Sequence, residues 1–132
     1  MSDSQNIHIM RTYIDSLSKG DMETVGTLLA DDVKWHQPGG SHLSGLHSGK
    51  QKLFAHLGKF MELSGNTFRV TEVGAVMANG DMVAATLHFM AERPDRRPLS
   101  MDGVDAMRIA DGKIKEVWLF SGDQTAEDAF WS

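Results

Sequence analysis

The stretch Ser100–Phe120, SMDGVDAMRIADGKIKEVWLF, predicts a β-hairpin in the C-terminal part of the chain. Apolar and polar residues alternate on both sides of Asp111-Gly112, and Asp-Gly between two alternating runs is typical of a two-residue hairpin turn. The same alternation places Asp105 on the side of its strand that carries Met107 and Ile109. A carboxylate is therefore expected among apolar side chains, which calls for a functional explanation.

The rest of the chain predicts helices first and strands afterwards. Periodicity indicates helices at 7–17, 22–29 and 50–63, and strands at 33–37, 68–77, 82–91, 99–109 and 113–120. Residues 38–49, PGGSHLSGLHSG, read as a loop, and the last residues read as a short polar tail containing Phe130 and Trp131. The predicted class is α+β, in the order α-α-β-α-β-β-β-β, with helices packed on one face of an antiparallel sheet.

The composition of the chain disfavours nucleic-acid and membrane partners. The chain has 132 residues and a formal net charge of −5, which favours one domain over residues 1–132 and gives no attraction to nucleic acid or anionic lipid. It contains no cysteine and no apolar run of membrane length. We therefore expect a cytoplasmic protein with no nucleic-acid or membrane partner.

Four short motifs carry a resemblance to a known superfamily. They are KGD at 19–21, DDVKWHQPGG at 31–40, LSG at 43–45 and GVDAMRIADGKI at 103–114. With the element order, they resemble the nuclear transport factor 2-like superfamily, and within it ketosteroid isomerase and the SnoaL-like polyketide cyclases. The resemblance implies a cone, in which a curved antiparallel sheet wraps around helices and leaves an apolar pocket. It also implies chemistry without a cofactor.

The resemblance to ketosteroid isomerase assigns roles to three residues. Tyr13 and Asp105 match the tyrosine and the aspartic acid that donate hydrogen bonds to the substrate oxygen. In those isomerases the apolar site keeps this acid protonated at neutral pH. Gln37 stands where they carry the aspartate that acts as general base, and glutamine cannot take up a proton. Catalysis by Tyr13, Asp105 and Gln37 would then polarise an oxygen without a strong base, so ketosteroid isomerisation should be very weak.

The pocket of the cone is expected to have apolar walls that bind the substrate. The predicted wall residues are Trp35, Phe54, Leu57, Leu87, Phe89, Met107, Val117 and Leu119. His36 and His88 are alternative bases, but strand alternation points His36 away from Gln37 and His88 away from the pocket.

These expectations lead to one main functional hypothesis and two alternatives. The first is a cofactor-free isomerase, cyclase or dehydratase acting on a small apolar oxygenated molecule, such as a ketone, polyketide or terpenoid. The alternatives are a binding or association domain without chemistry and an epoxide hydrolase-like enzyme. Because helices cover only one face of the sheet, a homodimer through the open face is also expected.

Two further clusters suggest binding sites at first sight. His36, His42 and His47 are six and five residues apart, which matches no common zinc spacing, so no metal is expected. The segment RPDRRP at 93–98 places three arginines at one hairpin tip. It is interpreted as a solvated turn, or as a rim that attracts an acidic ligand.

Overall fold

The computed structural model describes residues 3–132, and its elements confirm the α+β class. The helices are α1 (Asp3–Lys19), α2 (Met22–Leu28), α3 (Lys50–Ser64) and α4 (Gln124–Trp131). The strands are β1 (Leu29–Gln37), β2 (Gly45–Ser48), β3 (Arg69–Asn79), β4 (Met82–Ala91), β5 (Leu99–Ala110) and β6 (Lys113–Ser121). Most boundaries lie within a few residues of the predicted ones, while β2 and α4 were not predicted.

The hairpin of β5 and β6 forms as its sequence predicts. Ala110 pairs with Lys113, and the two turn residues Asp111 and Gly112 have φ angles of 55° and 74°. Positive φ at both central positions is the geometry of a type I′ turn, which glycine adopts freely and aspartate tolerates. The register then shifts by one residue between Ile109 and Arg108, a β-bulge, and beyond this shift Asp105 lies opposite Leu119.

The sheet has six strands in the order β2-β1-β6-β5-β4-β3, and it is mixed. Its β3–β6 part is an antiparallel meander, but β1 pairs with β6 in parallel. The chain between β1 and β6 contains β2, α3 and the strands β3 to β5, so it is long enough for the crossover that parallel strands require. The sheet was expected to be purely antiparallel, and the parallel pairing of β1 with β6 corrects this expectation.

Strand β2 lies within the segment that was predicted to be a loop. It pairs with β1 at the edge of the sheet, where Trp35 lies opposite His47. Its four residues, GLHS, include a glycine and are mostly exposed. So short a segment cannot show a recognisable alternation, which is why periodicity missed it.

Helix α4 replaces the predicted polar tail. The Asp123 side chain caps it by accepting a hydrogen bond from the Ala126 backbone N–H at 3.0 Å. At its other end Phe130 and Trp131 are only 3% and 2% exposed. Burial of two large aromatic rings anchors a helix that would be too short to form alone in water.

The arginines of the 93–98 segment support α4. The Arg93 guanidinium donates to the Phe130 carbonyl at 2.7 Å, and Arg96 donates to the same carbonyl at 2.9 Å. Cations near a helix C-terminus satisfy its last carbonyls and complement its dipole. Arg93 and Arg96 are thus helix caps, while Pro94, Asp95 and Arg97 are exposed in the turn that the sequence predicts.

The face of the sheet opposite the helices is partly apolar. Met77, Met82 and Phe120 are 58%, 42% and 59% exposed, and strand alternation directs all three away from the core. A homodimer through this face stays a prediction. Among residues 3–132, no helix combines the length and the apolar character that crossing a membrane requires.

Candidate functional site

Two adjoining apolar cavities lie between the sheet and the helices, separated by shared wall residues. The inner cavity, of about 60 Å³, is bounded by α3, α4 and the concave face of the sheet. The outer chamber, of about 480 Å³, lies between α1, α3 and the start of β3. The two cavities share the wall residues Leu17, Leu57, Phe60, Phe68 and Val70. The inner cavity has room for about two water molecules, whereas the outer chamber falls within the size range of small-molecule sites.

A row of three residues crosses the floor of the inner cavity. Asp105 on β5 lies opposite Leu119 on β6, and the parallel pairing of His36 with Trp118 brings Gln37 on β1 to the other side of Leu119. Neighbouring strands are about 4.8 Å apart, so the Cα atoms of Gln37 and Asp105 are separated by roughly 10 Å. The two polar side chains therefore flank one apolar side chain on the wall of the cavity.

Six of the predicted wall residues surround the cavity. Trp35, Leu57, Leu87, Phe89 and Leu119 line the inner cavity, while Phe54 and Leu57 line the outer chamber.

Met107 and Val117 do not lie on the cavity walls. They face each other on β5 and β6, one alternation step further along the strands than Asp105 and Leu119, and both are fully buried. They lie on the inward face of the sheet, as the cavity residues do. Their side chains are enclosed by the core, however, and do not border the inner cavity. Their assignment as substrate-binding residues is therefore corrected to a packing role.

Asp105 presents its carboxyl group to the inner cavity beside Leu87, Phe89 and Leu119. Removal from water raises the pKa of Asp105 to about 7, and the neighbouring Glu127 carboxylate contributes to the shift by repulsion. A carboxyl group with this pKa exists in both protonation states near neutral pH. It can donate a hydrogen bond in one state and accept a proton in the other.

Glu127 on α4 is the functional candidate that sequence reasoning missed. It lines the same inner cavity and is only 5% exposed. Its Oε1 atom accepts hydrogen bonds from the Ser121 hydroxyl at 2.6 Å and from the Gln124 amide at 3.1 Å. Burial raises the pKa of the Glu127 carboxyl, although these hydrogen bonds oppose the shift. The cavity thus contains two carboxyl groups whose pKa values are both raised.

Tyr13 lies within electrostatic range of Asp105, but it does not line the inner cavity. It is fully buried on α1, and its hydroxyl group has no hydrogen-bond partner among the described residues. Burial raises the pKa of the Tyr13 phenol well above its ordinary value, and negative charge on Asp105 adds to this effect. The phenol therefore stays protonated, and its role as an oxyanion donor stays a prediction.

Gln37 is held at the end of β1 by two neighbours. Its Oε1 atom accepts from the Trp35 indole N–H at 3.0 Å and lies 3.0 Å from Nε2 of His56 on α3. His56 is itself buried, and its ring stacks on His47 with the centroids 3.8 Å apart. The side chain at the position of the isomerase base is therefore rigidly oriented.

A family model described as the SnoaL-like domain matches residues 10–117, which is most of the chain. The chain belongs to the SnoaL-like family. The recognition of a SnoaL-like protein from the motifs is thereby confirmed.

Solved structures of similar chains share the fold of this SnoaL-like domain. A protein of unknown function with a cystatin-like fold from Xanthomonas campestris is 46% identical, with a TM-score of 0.93 over 96% of this chain and 98% of that one. Bal32a, from a soil-derived mobile gene cassette, is 26% identical, with a TM-score of 0.93 over 98% of both chains. A nuclear transport factor 2-like protein from Burkholderia xenovorans is 23% identical, with a TM-score of 0.84 over 100% and 99%, and shows the likeness of fold alone.

The two alternative bases of the SnoaL-like domain lie outside its cavity. The His36 ring is 2.6 Å from Glu116 and stacks on Trp118. His88 lies on the outer face of the sheet, where its two ring nitrogens are each 2.8 Å from side-chain oxygens of Asp102 and Ser100. Neither histidine is among the residues that line the inner cavity.

Asp105 should make the stability of the SnoaL-like domain depend on pH. An aspartate exposed to water has a pKa of 3.8, whereas the pKa of Asp105 in the folded chain is about 7, so between these values the folded state holds a proton that the unfolded state has released. Stability should therefore fall as the pH rises from about 4 to about 7. Asp105→Asn cannot ionise and should be more stable than the unmodified protein at pH 8, by up to about 4 kcal/mol, because one pKa unit corresponds to about 1.4 kcal/mol.

Urea unfolding at pH 4 and pH 8 measures this difference. The two proteins should have similar free energies of unfolding at pH 4, where Asp105 is largely protonated in the folded state and close to half protonated in the unfolded state. A difference of equal size at both pH values would contradict the assignment of a raised pKa to Asp105.

Proposed function

We propose that this SnoaL-like domain is a cofactor-free isomerase or cyclase that moves a proton on a small apolar oxygenated molecule. The family is of the isomerase and cyclase type. The observation that carries the proposal is the presence of two carboxyl groups with raised pKa values, Asp105 and Glu127, in one apolar cavity. Titratable groups whose environments shift their pKa values toward neutrality are suited to acid and base catalysis.

Each carboxyl group has a role in the proposed reaction. Glu127 in its ionised form removes a proton from the carbon next to a substrate carbonyl, and the C–H electron pair moves to form an enolate. Asp105 in its protonated form donates a hydrogen bond to the developing negative charge on oxygen. When the substrate is a β,γ-unsaturated ketone, the enolate is conjugated with the second double bond, and Glu127 returns the proton to the γ-carbon, which isomerises the substrate. In a cyclisation, the enolate carbon instead attacks a second carbonyl, whose oxygen takes a proton from Asp105.

Glu127 also supplies the base that Gln37 cannot provide. The ketosteroid isomerase pattern leaves this chain without a carboxylate at the base position on β1. In the proposed site the base comes from α4, which covers the cavity from another side. The substrate class follows from the walls, because an apolar chamber of about 480 Å³ with few polar groups suits a largely hydrocarbon body.

Exchange of α-protons tests this function without knowledge of the natural substrate. 2-Tetralone is an apolar two-ring ketone whose α-protons exchange slowly with solvent deuterium, and proton NMR follows the exchange. The unmodified protein should accelerate this exchange above that of buffer at the same pH. If the ketone binds but its exchange is no faster than in buffer, the chain is a binding domain and the proposed function is wrong.

A further inference from the structure

We infer that Gln37 forms a binding site for a substrate oxygen, with its amide N–H groups directed into the inner cavity by Trp35 and His56. This inference rests on the proposed function, since it concerns the same cavity. It assigns to Gln37 the role of a hydrogen-bond donor where the related isomerases carry a base. It also makes His56 a positioning residue.

The Trp35 contact identifies the two ends of the Gln37 amide. An indole N–H can only donate a hydrogen bond, so the amide atom 3.0 Å from Trp35 Nε1 must be the oxygen. The reverse orientation would place two donors against each other in a buried site, where a lost hydrogen bond is costly. The amide nitrogen therefore lies on the side away from Trp35.

His56 contacts the same oxygen and strengthens the assignment. Its Nε2 atom lies 3.0 Å from Gln37 Oε1, so this nitrogen carries the proton and donates. Burial is the main cause that lowers the pKa of His56 to about 4, and proximity to His47 adds to it, so the ring is neutral at pH 7. Stacking on His47 and an edge contact with Phe60, whose ring centroid is 4.7 Å away, hold the imidazole in place.

Both hydrogens of the Gln37 amide are then left for a ligand. Gln37 is only 7% exposed and lines the inner cavity, and its amide nitrogen has no hydrogen-bond partner within residues 3–132. Because this nitrogen borders the open space of the cavity, an acceptor atom that enters the cavity can take its hydrogen bonds. The group that fits is an oxygen that accepts hydrogen bonds, such as that of a carbonyl, an enolate or a phenolate.

The second donor of the cavity, protonated Asp105, lies across Leu119 from Gln37. The substrate class is therefore an apolar molecule with one or more carbonyl or enolate oxygens at one end. Its oxygen-bearing end would lie over Leu119, and its hydrocarbon body would extend past the shared wall residues toward the outer chamber.

A pair of ligands that differ by one oxygen tests the inference. Binding of 2-tetralone and of tetralin, the hydrocarbon without the carbonyl, is measured by calorimetry. The unmodified protein should bind the ketone more tightly. Gln37→Leu should reduce this preference about tenfold, the size expected for one hydrogen bond in a buried site. Gln37→Met, which preserves the length of the side chain, should give the same result and guards against a folding defect in one variant.

His56 variants test the positioning role separately. His56→Phe removes the donor to Gln37 Oε1 and should reduce the preference for the ketone, while His56→Gln supplies an N–H and should restore it. The infrared carbonyl stretch of bound 2-tetralone should move to higher frequency in His56→Phe and return in His56→Gln. A role of His56 in packing alone would leave this frequency unchanged.

The outcomes separate this inference from the proposed function. If the ketone preference survives both Gln37 variants, the inference is wrong, even when the unmodified protein catalyses proton exchange. If the preference depends on Gln37 but no exchange occurs, the oxygen site is established and the proposed catalysis is wrong.

Discussion

Replacing Glu127 with Gln should slow the exchange of 2-tetralone α-protons by ~10²–10⁴-fold, the usual contribution of a general base. The glutamine has the same shape, and its oxygen can still accept the hydrogen bond that Ser121 donates to Glu127 at 2.6 Å. It cannot take up a proton from carbon. The loss should therefore appear in the rate constant for exchange, with little change in the affinity for the ketone.

Glu116→Gln provides the matched control for this experiment. Glu116 is also a glutamate contacted by a neighbouring side chain, but its carboxylate faces His36 and does not line the inner cavity. This variant should retain the exchange rate of the unmodified protein. Equal rates in the Glu127 and Glu116 variants would show that Glu127 is not the base.

Gly39→Ala should detach α4 from the β1–β2 loop and lower the free energy of unfolding by about 3 kcal/mol. A Cβ atom at Gly39 would lie 2.0 Å from Asp128 Oδ1 and 2.3 Å from Gln124 Nε2, and the φ angle of +88° disfavours alanine as well. These side-chain atoms cannot move away freely, because Gln124 donates to Asp128 at 3.0 Å and Asp128 accepts from the Gly40 N–H at 2.9 Å. The expected loss combines about 1–2 kcal/mol of backbone strain with about 1 kcal/mol for each lost hydrogen bond.

Gly45→Ala is a control that separates the steric clash at Gly39 from the backbone strain caused by a positive φ angle. Gly45 also has a positive φ angle, of +119°, but a Cβ atom there would meet nothing within 4 Å. Urea unfolding should show a smaller loss for this variant, and its proton exchange should be unaffected. Gly39→Ala should also lose exchange activity, because a displaced α4 carries Glu127 away from the cavity. Similar losses in the two variants would exclude a specific role of the Gly39 contact.

The features that the sequence could predict are those that depend on residues close together along the chain. Asp111-Gly112 allows few alternatives to a tight turn, and alternation along β5 places Asp105 on the same inward face as Met107 and Ile109. The fold class follows from several periodic segments of this kind. Periodicity gives the face on which a residue lies but not its depth, and for this reason Met107 was predicted to be a wall residue although the core is closed at its level.

Glu127 could not be predicted because its position depends on distant contacts. Helix α4 has eight residues, and its cap at Asp123 followed by the apolar pair Phe130 and Trp131 is the one local signal for it. Its docking requires the glycines of the β1–β2 loop and the arginines before β5. None of these partners can be inferred from spacing along the chain, so a helix that contributes a functional group was interpreted as a tail.

The parallel pairing of β1 with β6 affects how the protein folds. It joins strands from opposite ends of the chain, as the contact between His36 and Glu116, 80 positions apart, shows. Such contacts form late, because a long loop must close before they contribute any stabilisation, and proteins rich in them fold slowly. Gln37 and Asp105 come together on one floor only after this closure. The oxygen site is thus absent from partly folded states, and a ligand bound there would report on complete folding of the sheet.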